Sequence, residues 1–198
     1  MNLPNKLTLT RIILIPFMLI FMLPLPVGFL PGWNTFSLRY GMIIALIIFS
    51  LASYTDHLDG SIARKNNIVT NLGKFLDPIA DKLLILSAFT AFVQLNRISS
   101  WVPIIILFRE FSVTGVRLLG IEQGKVIASA YIGKLKMVFQ IIAILALMLE
   151  NILATFISAG VFLQIFSILT NLFVFAAVIL TLVSGIDYVI KNKNLLHN

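Results

Sequence analysis

Residues 56–81 read DHLDGSIARKNNIVTNLGKFLDPIAD and separate two long apolar regions of the chain. Four of the chain's eight acidic residues fall within this polar stretch, at Asp56, Asp59, Asp77 and Asp81. The first pair is spaced i, i+3 and the second i, i+4, so each pair lies on one face of a helix. If the two helices pack against each other, the four carboxylates meet at one end of the pair. The stretch therefore predicts two helices joined at a shared acidic site.

The residues outside this stretch are strongly apolar. Hydrophobic residues make up 59% of the chain and charged residues only 12%, and the mean hydropathy is +1.01. An average soluble domain carries about 25% charged residues. A chain this apolar cannot cover a water-soluble surface, which predicts an integral membrane protein. Its length fits one transmembrane domain over residues 1–198.

Six apolar runs predict an all-α fold with six transmembrane helices, because about 20 apolar residues cross about 30 Å of hydrocarbon. The helices are expected near residues 10–29, 38–54, 78–95, 101–119, 135–149 and 162–190. Residues 1–8 are predicted to form a short N-terminal segment along the membrane interface. A cleaved signal peptide is the alternative for the first run, although no small-residue cleavage site follows it. Pro78 is expected in the first turn of the third helix, which places Asp77 near that helix's N-terminus.

Basic residues mark one side of the membrane. With six spans, one side carries Lys6, residues 64–74, residues 117–136, Lys191 and Lys193, whereas the other has only Arg39, Arg97 and Glu150 near its loops. Since Lys and Arg concentrate in cytoplasmic loops, both termini and the acidic stretch are expected on the cytoplasmic side. The net charge of +7 suits a protein that meets anionic lipids and substrates. No nucleic-acid partner is needed to explain it.

The acidic cluster predicts a metal site. Close carboxylates repel one another where the dielectric constant is reduced, and ionisable groups at membrane depth are usually functional. Mg²⁺ and Mn²⁺ prefer carboxylate oxygens, and Asp56, Asp59, Asp77 and Asp81 are expected to hold two such ions about 3.5–4 Å apart, a spacing suited to phosphoryl chemistry. Four solvated, helix-capping aspartates are the alternative, although capping requires no paired acids on both flanks. Lys82, which follows Asp81 directly, is expected to face another surface.

The spacing of the acids and small residues carries a specific resemblance. The pattern Asp56-x-x-Asp59-Gly60-x-x-Ala63-Arg64, then eight residues, then Gly73-x-x-x-Asp77-x-x-x-Asp81 resembles the signature of the CDP-alcohol phosphotransferase family at all eight positions. The resemblance implies a six-helix membrane enzyme, usually homodimeric, whose active site opens to the cytoplasmic leaflet. It also implies that the first three aspartates bind metal with Asp81 nearby, that Asp81 is also the general base, and that the small residues make room for cytidine diphosphate.

Shorter motifs resemble one branch of that family, the bacterial phosphatidylglycerophosphate synthases. They are Pro4-Asn5-x-Leu7-Thr8-x-x-Arg11, Arg109-Glu110-Phe111, Arg117 and Gly133-Lys134-x-Lys136. The implied reaction transfers the phosphatidyl group of CDP-diacylglycerol to glycerol 3-phosphate. On these resemblances the residues expected to bind the CDP moiety are Asn5, Thr8, Asp56, Gly60, Ala63, Arg64 and Gly73.

A set of basic residues predicts where an anionic acceptor binds. Arg109 and Glu110 interrupt an apolar run and should face the protein interior, because isolated charges are costly in lipid. Glu110 is expected to pair with a nearby cation, and Arg109 either is that partner or reaches a substrate phosphate. Arg117, Lys134 and Lys136 lie at cytoplasmic ends of spans, where ordinary flanking charge is the alternative explanation. Facing the acidic site together with Arg109, they predict a pocket for a phosphorylated acceptor such as glycerol 3-phosphate.

Other functions remain open at this stage. Within the family, the alternatives are synthases of cardiolipin, phosphatidylserine or phosphatidylinositol phosphate. An intramembrane prenyltransferase also binds diphosphate through aspartates, but its motifs lie on distant helices. A divalent-cation transporter would place acids near the midplane of several spans, whereas here they cluster in one helix-loop-helix.

Overall fold

The computed structural model describes residues 3–25, 31–65, 71–124 and 131–195, without side chains at 3–4, 31, 56–65, 71–72, 74 and 195. Within these residues the chain is all-α, which confirms the predicted fold class. The helices are α1 (Leu3–Met22), α2 (Pro31–Phe36), α3 (Met42–Lys65), α4 (Asn71–Gln94), α5 (Trp101–Glu122), α6 (Tyr131–Phe156) and α7 (Val161–Lys191).

The long helices make this a multi-pass membrane protein. Among the described residues, four segments are long and apolar enough to cross a membrane, namely Asn5–Met22, Gly32–Thr55, Tyr131–Phe156 and Val161–Lys191. Helices α4 and α5 have comparable lengths of 24 and 22 residues and carry more charged side chains. The six long helices follow the order of the six predicted spans.

Helix boundaries differ from the hydropathy pattern at the polar ends. Helix α1 begins at Leu3, so residues predicted to form a separate interfacial segment belong to its first turns. Helix α4 begins at Asn71, and Asp77 and Pro78 lie in its second turn. The expectation that Pro78 lies in the first turn of this helix is therefore wrong. Hydropathy detects the apolar part of a helix, whereas backbone hydrogen bonds continue into the polar turns before it.

The helices pack as two connected groups. Helix α1 contacts α3 and α4, while α7 contacts α5 and α6, and α6 also touches α3 and α4. Small residues are fully buried where the helices meet, including Ala45, Ala52, Ala88, Ala143 and Ala177. Small side chains let helix backbones approach closely, which is the main source of packing energy between helices in lipid.

The end of α1 is held by a π-helical turn, Ser37–Gly41, which joins α2 to α3. The Ser37 hydroxyl donates a hydrogen bond to the Phe21 carbonyl oxygen at 3.0 Å. A Cβ atom at Gly41 would lie 2.1 Å from the same oxygen. Only glycine permits this approach, so the turn sets the position of α1 against α3, and α1 in turn carries residues of the site.

Candidate active site

Helix α1 binds the second pair of signature acids directly. The Thr8 hydroxyl donates to Asp77 Oδ1 at 2.5 Å, and Arg11 Nη1 donates to Asp81 Oδ1 at 2.7 Å. Thr8 and Arg11 have no exposed surface, whereas both aspartates are partly exposed. The i, i+3 spacing on α1 thus matches the i, i+4 spacing on α4, and the two helices run parallel.

This register places further predicted residues at the same end of the helix pair. Asn5 precedes Thr8 by nearly one turn on α1, and Gly73 precedes Asp77 by about one turn on α4. Both residues are buried. The polar N-terminal residues of α1 therefore lie next to the second half of the signature, although more than sixty residues separate the two in sequence.

The first half of the signature lies in the last turns of α3. Asp56, Asp59, Gly60, Ala63 and Arg64 all belong to the helix that ends at Lys65, and their side chains lie outside the described part of the structure. The helical backbone agrees with the i, i+3 face predicted for the first acid pair. Among the side chains that the structure does describe, no three acidic or histidine residues lie close enough to hold a metal ion.

Glu110 on α5 binds cations from two other helices and from its own. Its Oε1 atom accepts hydrogen bonds from Arg109 Nη1 at 3.0 Å and from Lys136 Nζ of α6. Lys82 Nζ of α4 lies 3.9 Å from the other carboxylate oxygen. The prediction that Glu110 pairs with a nearby cation is confirmed, and Arg109 is one of its partners.

Arg109 is held from the side of α6 and α7. Its Nη2 atom donates to the Ser184 hydroxyl at 2.5 Å. A Cβ atom at Gly185 would lie 2.9 Å from Arg109 Cγ, and one at Gly133 would lie 3.5 Å from Nη2. The absence of a side chain at Gly185 therefore leaves room for the Arg109 stem, whereas a Cβ at Gly133 would make only ordinary contact with the guanidinium.

Lys82 faces the site, contrary to the sequence-based expectation. Its ammonium group donates to the Thr114 hydroxyl at 3.0 Å, and Thr114 donates to the carbonyl oxygen of Glu110 at 2.7 Å. Asp81 points toward α1 while Lys82 points toward α5, because consecutive residues of an α-helix are rotated by about 100°. The sequence alone does not tell which helix stands on each side, so this contact was missed.

Two cavities share a wall beside these charges. The first, of about 180 Å³, lies between α4, α5 and α6 and is lined by Asp81 and Lys82 among others. The second, of about 440 Å³, is lined by Arg109, Arg117, Lys134, Ser53, Ser184 and Tyr188 among others. Glu110 and Lys136 line both. The residues predicted to bind the acceptor therefore surround one cavity adjacent to that of Asp81.

Burial separates two kinds of cation in this set. Arg109 and Lys136 are only 9% and 8% exposed, which flanking charges at a membrane surface are not. Arg117 and Lys134 are exposed at the cavity rim. The alternative of ordinary flanking charge therefore does not explain Arg109 or Lys136. Ser184 and Tyr188 were not identified as site residues from the sequence. Their polar side chains within the apolar run of α7 were the one feature of the sequence that could have indicated them.

Comparison with known proteins finds a matching family and similar sequences. The profile of the CDP-alcohol phosphatidyltransferase family matches residues 1–183. The CDP-diacylglycerol–glycerol-3-phosphate 3-phosphatidyltransferase of Bacillus subtilis (strain 168) is 44% identical over 192 residues, which cover 96% of this chain and 95% of that protein. A probable phosphatidylglycerophosphate synthase of Mycobacterium tuberculosis (strain H37Rv) is 37% identical, with 96% and 81% covered. The Rickettsia typhi (strain Wilmington) protein named like the first is 34% identical, with 94% of each chain covered.

Proposed function

Because the chain belongs to the CDP-alcohol phosphatidyltransferase family, we propose that it transfers the phosphatidyl group of CDP-diacylglycerol to glycerol 3-phosphate. The products are phosphatidylglycerophosphate and CMP. Relatives that cover nearly the whole chain carry the name of this reaction. The observation that carries the acceptor assignment is structural: buried Arg109 and Lys136 line a cavity that shares a wall with the cavity of Asp81.

The reaction is a displacement at phosphorus. A hydroxyl oxygen of glycerol 3-phosphate forms a bond to the phosphorus of the phosphatidyl group. The bond from that phosphorus to the bridging oxygen breaks, and CMP leaves with the bonding electrons. Asp81 accepts the hydroxyl proton as general base and later releases it to solvent. Arg11, 2.7 Å from Asp81 Oδ1, fixes the direction of this carboxylate from the α1 side.

The basic set holds the acceptor. Arg109, Arg117, Lys134 and Lys136 bind the phosphate of glycerol 3-phosphate in the larger cavity, with charge-assisted hydrogen bonds from the guanidinium and ammonium groups. Glu110 keeps Arg109 and Lys136 in place before the acceptor enters. Holding the phosphate directs the reacting hydroxyl toward Asp81, and this loss of freedom before the chemical step lowers the barrier.

The donor set fits two divalent cations, and the family generally depends on such ions. Asp56, Asp59, Asp77 and Asp81 are proposed ligands, because Mg²⁺ and Mn²⁺ prefer carboxylate oxygens. Bound ions would neutralise the pyrophosphate and stabilise the leaving CMP. Thr8 orients Asp77 through its 2.5 Å hydrogen bond. The CDP moiety is proposed to contact Asn5, Thr8, Asp56, Gly60, Ala63, Arg64 and Gly73.

The proposed location is the bacterial plasma membrane, with both termini and the active site on the cytoplasmic side. The beginnings of α1, α4 and α6 and the ends of α5 and α7 lie toward the site, together with most of the basic residues. Cytoplasmic loops are the ones enriched in Lys and Arg. A homodimer is proposed from the resemblance to the family.

Product analysis tests the proposed function. Purified protein in detergent receives labelled CDP-diacylglycerol and one acceptor at a time: glycerol 3-phosphate, phosphatidylglycerol, serine or inositol phosphate. We expect phosphatidylglycerophosphate and CMP with glycerol 3-phosphate alone. Excess chelator should abolish turnover, and Mg²⁺ or Mn²⁺ should restore it, because the acids cannot hold the pyrophosphate without cations. Turnover of another acceptor instead would replace the acceptor assignment, and full activity in chelator would contradict the metal assignment.

A further inference from the structure

Buried polar atoms without partners concentrate at the larger cavity. Ser53 Oγ, Arg109 Nε and Tyr188 OH are buried and have no hydrogen-bond partner among the described residues. All three side chains belong to residues that line the cavity of about 440 Å³. Buried polar groups in native proteins are almost always hydrogen-bonded, so groups left over at one cavity indicate a ligand that accepts hydrogen bonds.

Tyr188 is the most constrained of the three. Its side chain is only 4% exposed, and its ring packs against Val113 and Val116 of α5. Val113 follows Arg109 by about one turn, and Val116 immediately precedes Arg117. Tyr188 also follows Ser184, which binds Arg109, by about one turn on α7. The apolar contacts thus hold Tyr188 against the helix that carries Arg109 and Arg117, beside the cavity that both arginines line.

We propose that Tyr188 is a binding residue for the acceptor phosphate and that its hydroxyl donates a hydrogen bond to a phosphate oxygen. This inference rests on the proposed function and adds a residue and a selectivity to it. Tyr188 lies beyond residues 1–183, the part of the chain that the family profile matches. A tyrosine hydroxyl donates one hydrogen bond, and ionised phosphate oxygens accept but do not donate.

The arrangement of donors selects a phosphate monoester. Arg109 on α5, Lys136 on α6 and Tyr188 on α7 present donors to one cavity from three helices. A phosphate monoester has three terminal oxygens that accept strong hydrogen bonds, whereas a diester has two. A diester can still accept three hydrogen bonds, but it has one terminal oxygen fewer and less negative charge, so donors from three helices bind a monoester more strongly. Tyr188 accordingly favours glycerol 3-phosphate over an acceptor whose phosphate is already esterified twice.

The Tyr188→Phe variant tests this role, because it removes the hydroxyl and keeps the ring that packs on Val113 and Val116. Steady-state rates are measured with saturating CDP-diacylglycerol and varied glycerol 3-phosphate. The KM for glycerol 3-phosphate should rise about 10- to 100-fold, as expected for losing a hydrogen bond to a charged group. The KM for CDP-diacylglycerol and the thermal unfolding midpoint should not change. Tyr40→Phe, whose ring stacks on Phe36 and Phe156 away from the site, is the matched control.

Selectivity is measured by titrating the parent and variant proteins with glycerol 3-phosphate and with its methyl phosphodiester. The variant should lose affinity for the monoester and much less for the diester. An unchanged KM for glycerol 3-phosphate, an equal loss for both compounds, or a lowered unfolding midpoint with both substrates affected would each overturn the inference. If the parent protein does not use glycerol 3-phosphate at all, the proposed function itself fails, and that result appears before any variant is made.

Discussion

Two arginines, Arg97 and Arg109, each bind a glutamate, in clusters that lie at different depths of the helix bundle. Arg97 Nη2 contacts both carboxylate oxygens of Glu150 at 2.7 and 2.6 Å. The same guanidinium donates to the Asn171 side-chain oxygen at 3.1 Å and the Ser167 hydroxyl at 3.2 Å. Arg97 is therefore paired with one anion, Glu150, and two neutral oxygen atoms accept further hydrogen bonds from its guanidinium. This cluster ties the end of α4 to α6 and α7.

The cluster around Glu110 has a different charge balance. Its one carboxylate is shared by Arg109, Lys136 and the more distant Lys82. The two glutamate side chains are equally buried, at 13% exposed, although Arg97 is 27% exposed and Arg109 only 10%. The difference lies in the surplus of positive charge beside a cavity. A balanced buried pair connects helices, whereas a buried surplus of cations favours the binding of an anion that accepts its donors.

We expect the largest effect from removing a cation of the cluster around Glu110. Arg109→Met should lower kcat/KM for glycerol 3-phosphate by about 10²- to 10³-fold, because truncating a buried, hydrogen-bonded charge removes contacts that its partners cannot replace. Steady-state kinetics with both substrates varied measures this, with thermal unfolding to establish that the variant is folded.

Arg97→Met is the matched control, because it removes the cation of the cluster around Glu150. It should reduce stability by about 1–3 kcal/mol, less than for a fully buried pair because the Arg97 side chain is 27% exposed. The kcat/KM of the folded protein should stay at the parent value. If both variants lose activity equally while both remain folded, the distinction between the clusters is wrong.

An intermediate effect is expected from Gly185→Ala, which changes no charge. The new Cβ atom would lie 2.9 Å from Arg109 Cγ and displace the arginine stem from its place against α7. We expect kcat/KM for glycerol 3-phosphate to fall about tenfold, in line with overpacking costs of about 1–3 kcal/mol. Gly115→Ala on α5 is the control, since its Cβ would meet nothing within 4 Å. Parent-like kinetics for Gly185→Ala would show that the close approach does not position Arg109.

We expect the smallest effect from replacing an exposed cation of the same cavity, which can be compared with replacing a buried one. Lys134 is exposed at the rim, so Lys134→Ala should raise the KM for glycerol 3-phosphate only a few-fold at low salt. The difference from the parent should vanish near 1 M salt, where the Debye length falls to about 3 Å. The deficit of Lys136→Met should persist there, because Lys136 is only 8% exposed. A salt-insensitive deficit at Lys134 would instead indicate that its hydrogen bond to the acceptor phosphate is as shielded from solvent as that of Lys136.

The features that could be predicted from the sequence were those that depend on local sequence patterns. Apolar runs close to the length of a membrane crossing predicted the all-α fold and the order of the long helices, and the acid spacing indicated the family. The start of α4 was missed by seven residues, from Pro78 back to Asn71, because hydropathy does not register the polar turns of a helix. The roles of Asp56 and Asp59 in metal binding stay predictions.

The contacts that turn this pattern into a site depended on tertiary structure. The sequence by itself determined that Asp77 and Asp81 share a helical face and that charged residues within apolar runs face inward, since helical periodicity and the cost of charge in lipid are local properties. Only helix packing decided that Arg11 binds Asp81, that Lys82 turns toward Thr114, and that Tyr188 reaches the cavity of Arg109. These partners are 70, 32 and 79 residues apart in sequence. Which side chains meet over such separations depends on which helix faces fit together, and close packing determines that fit for the whole bundle at once.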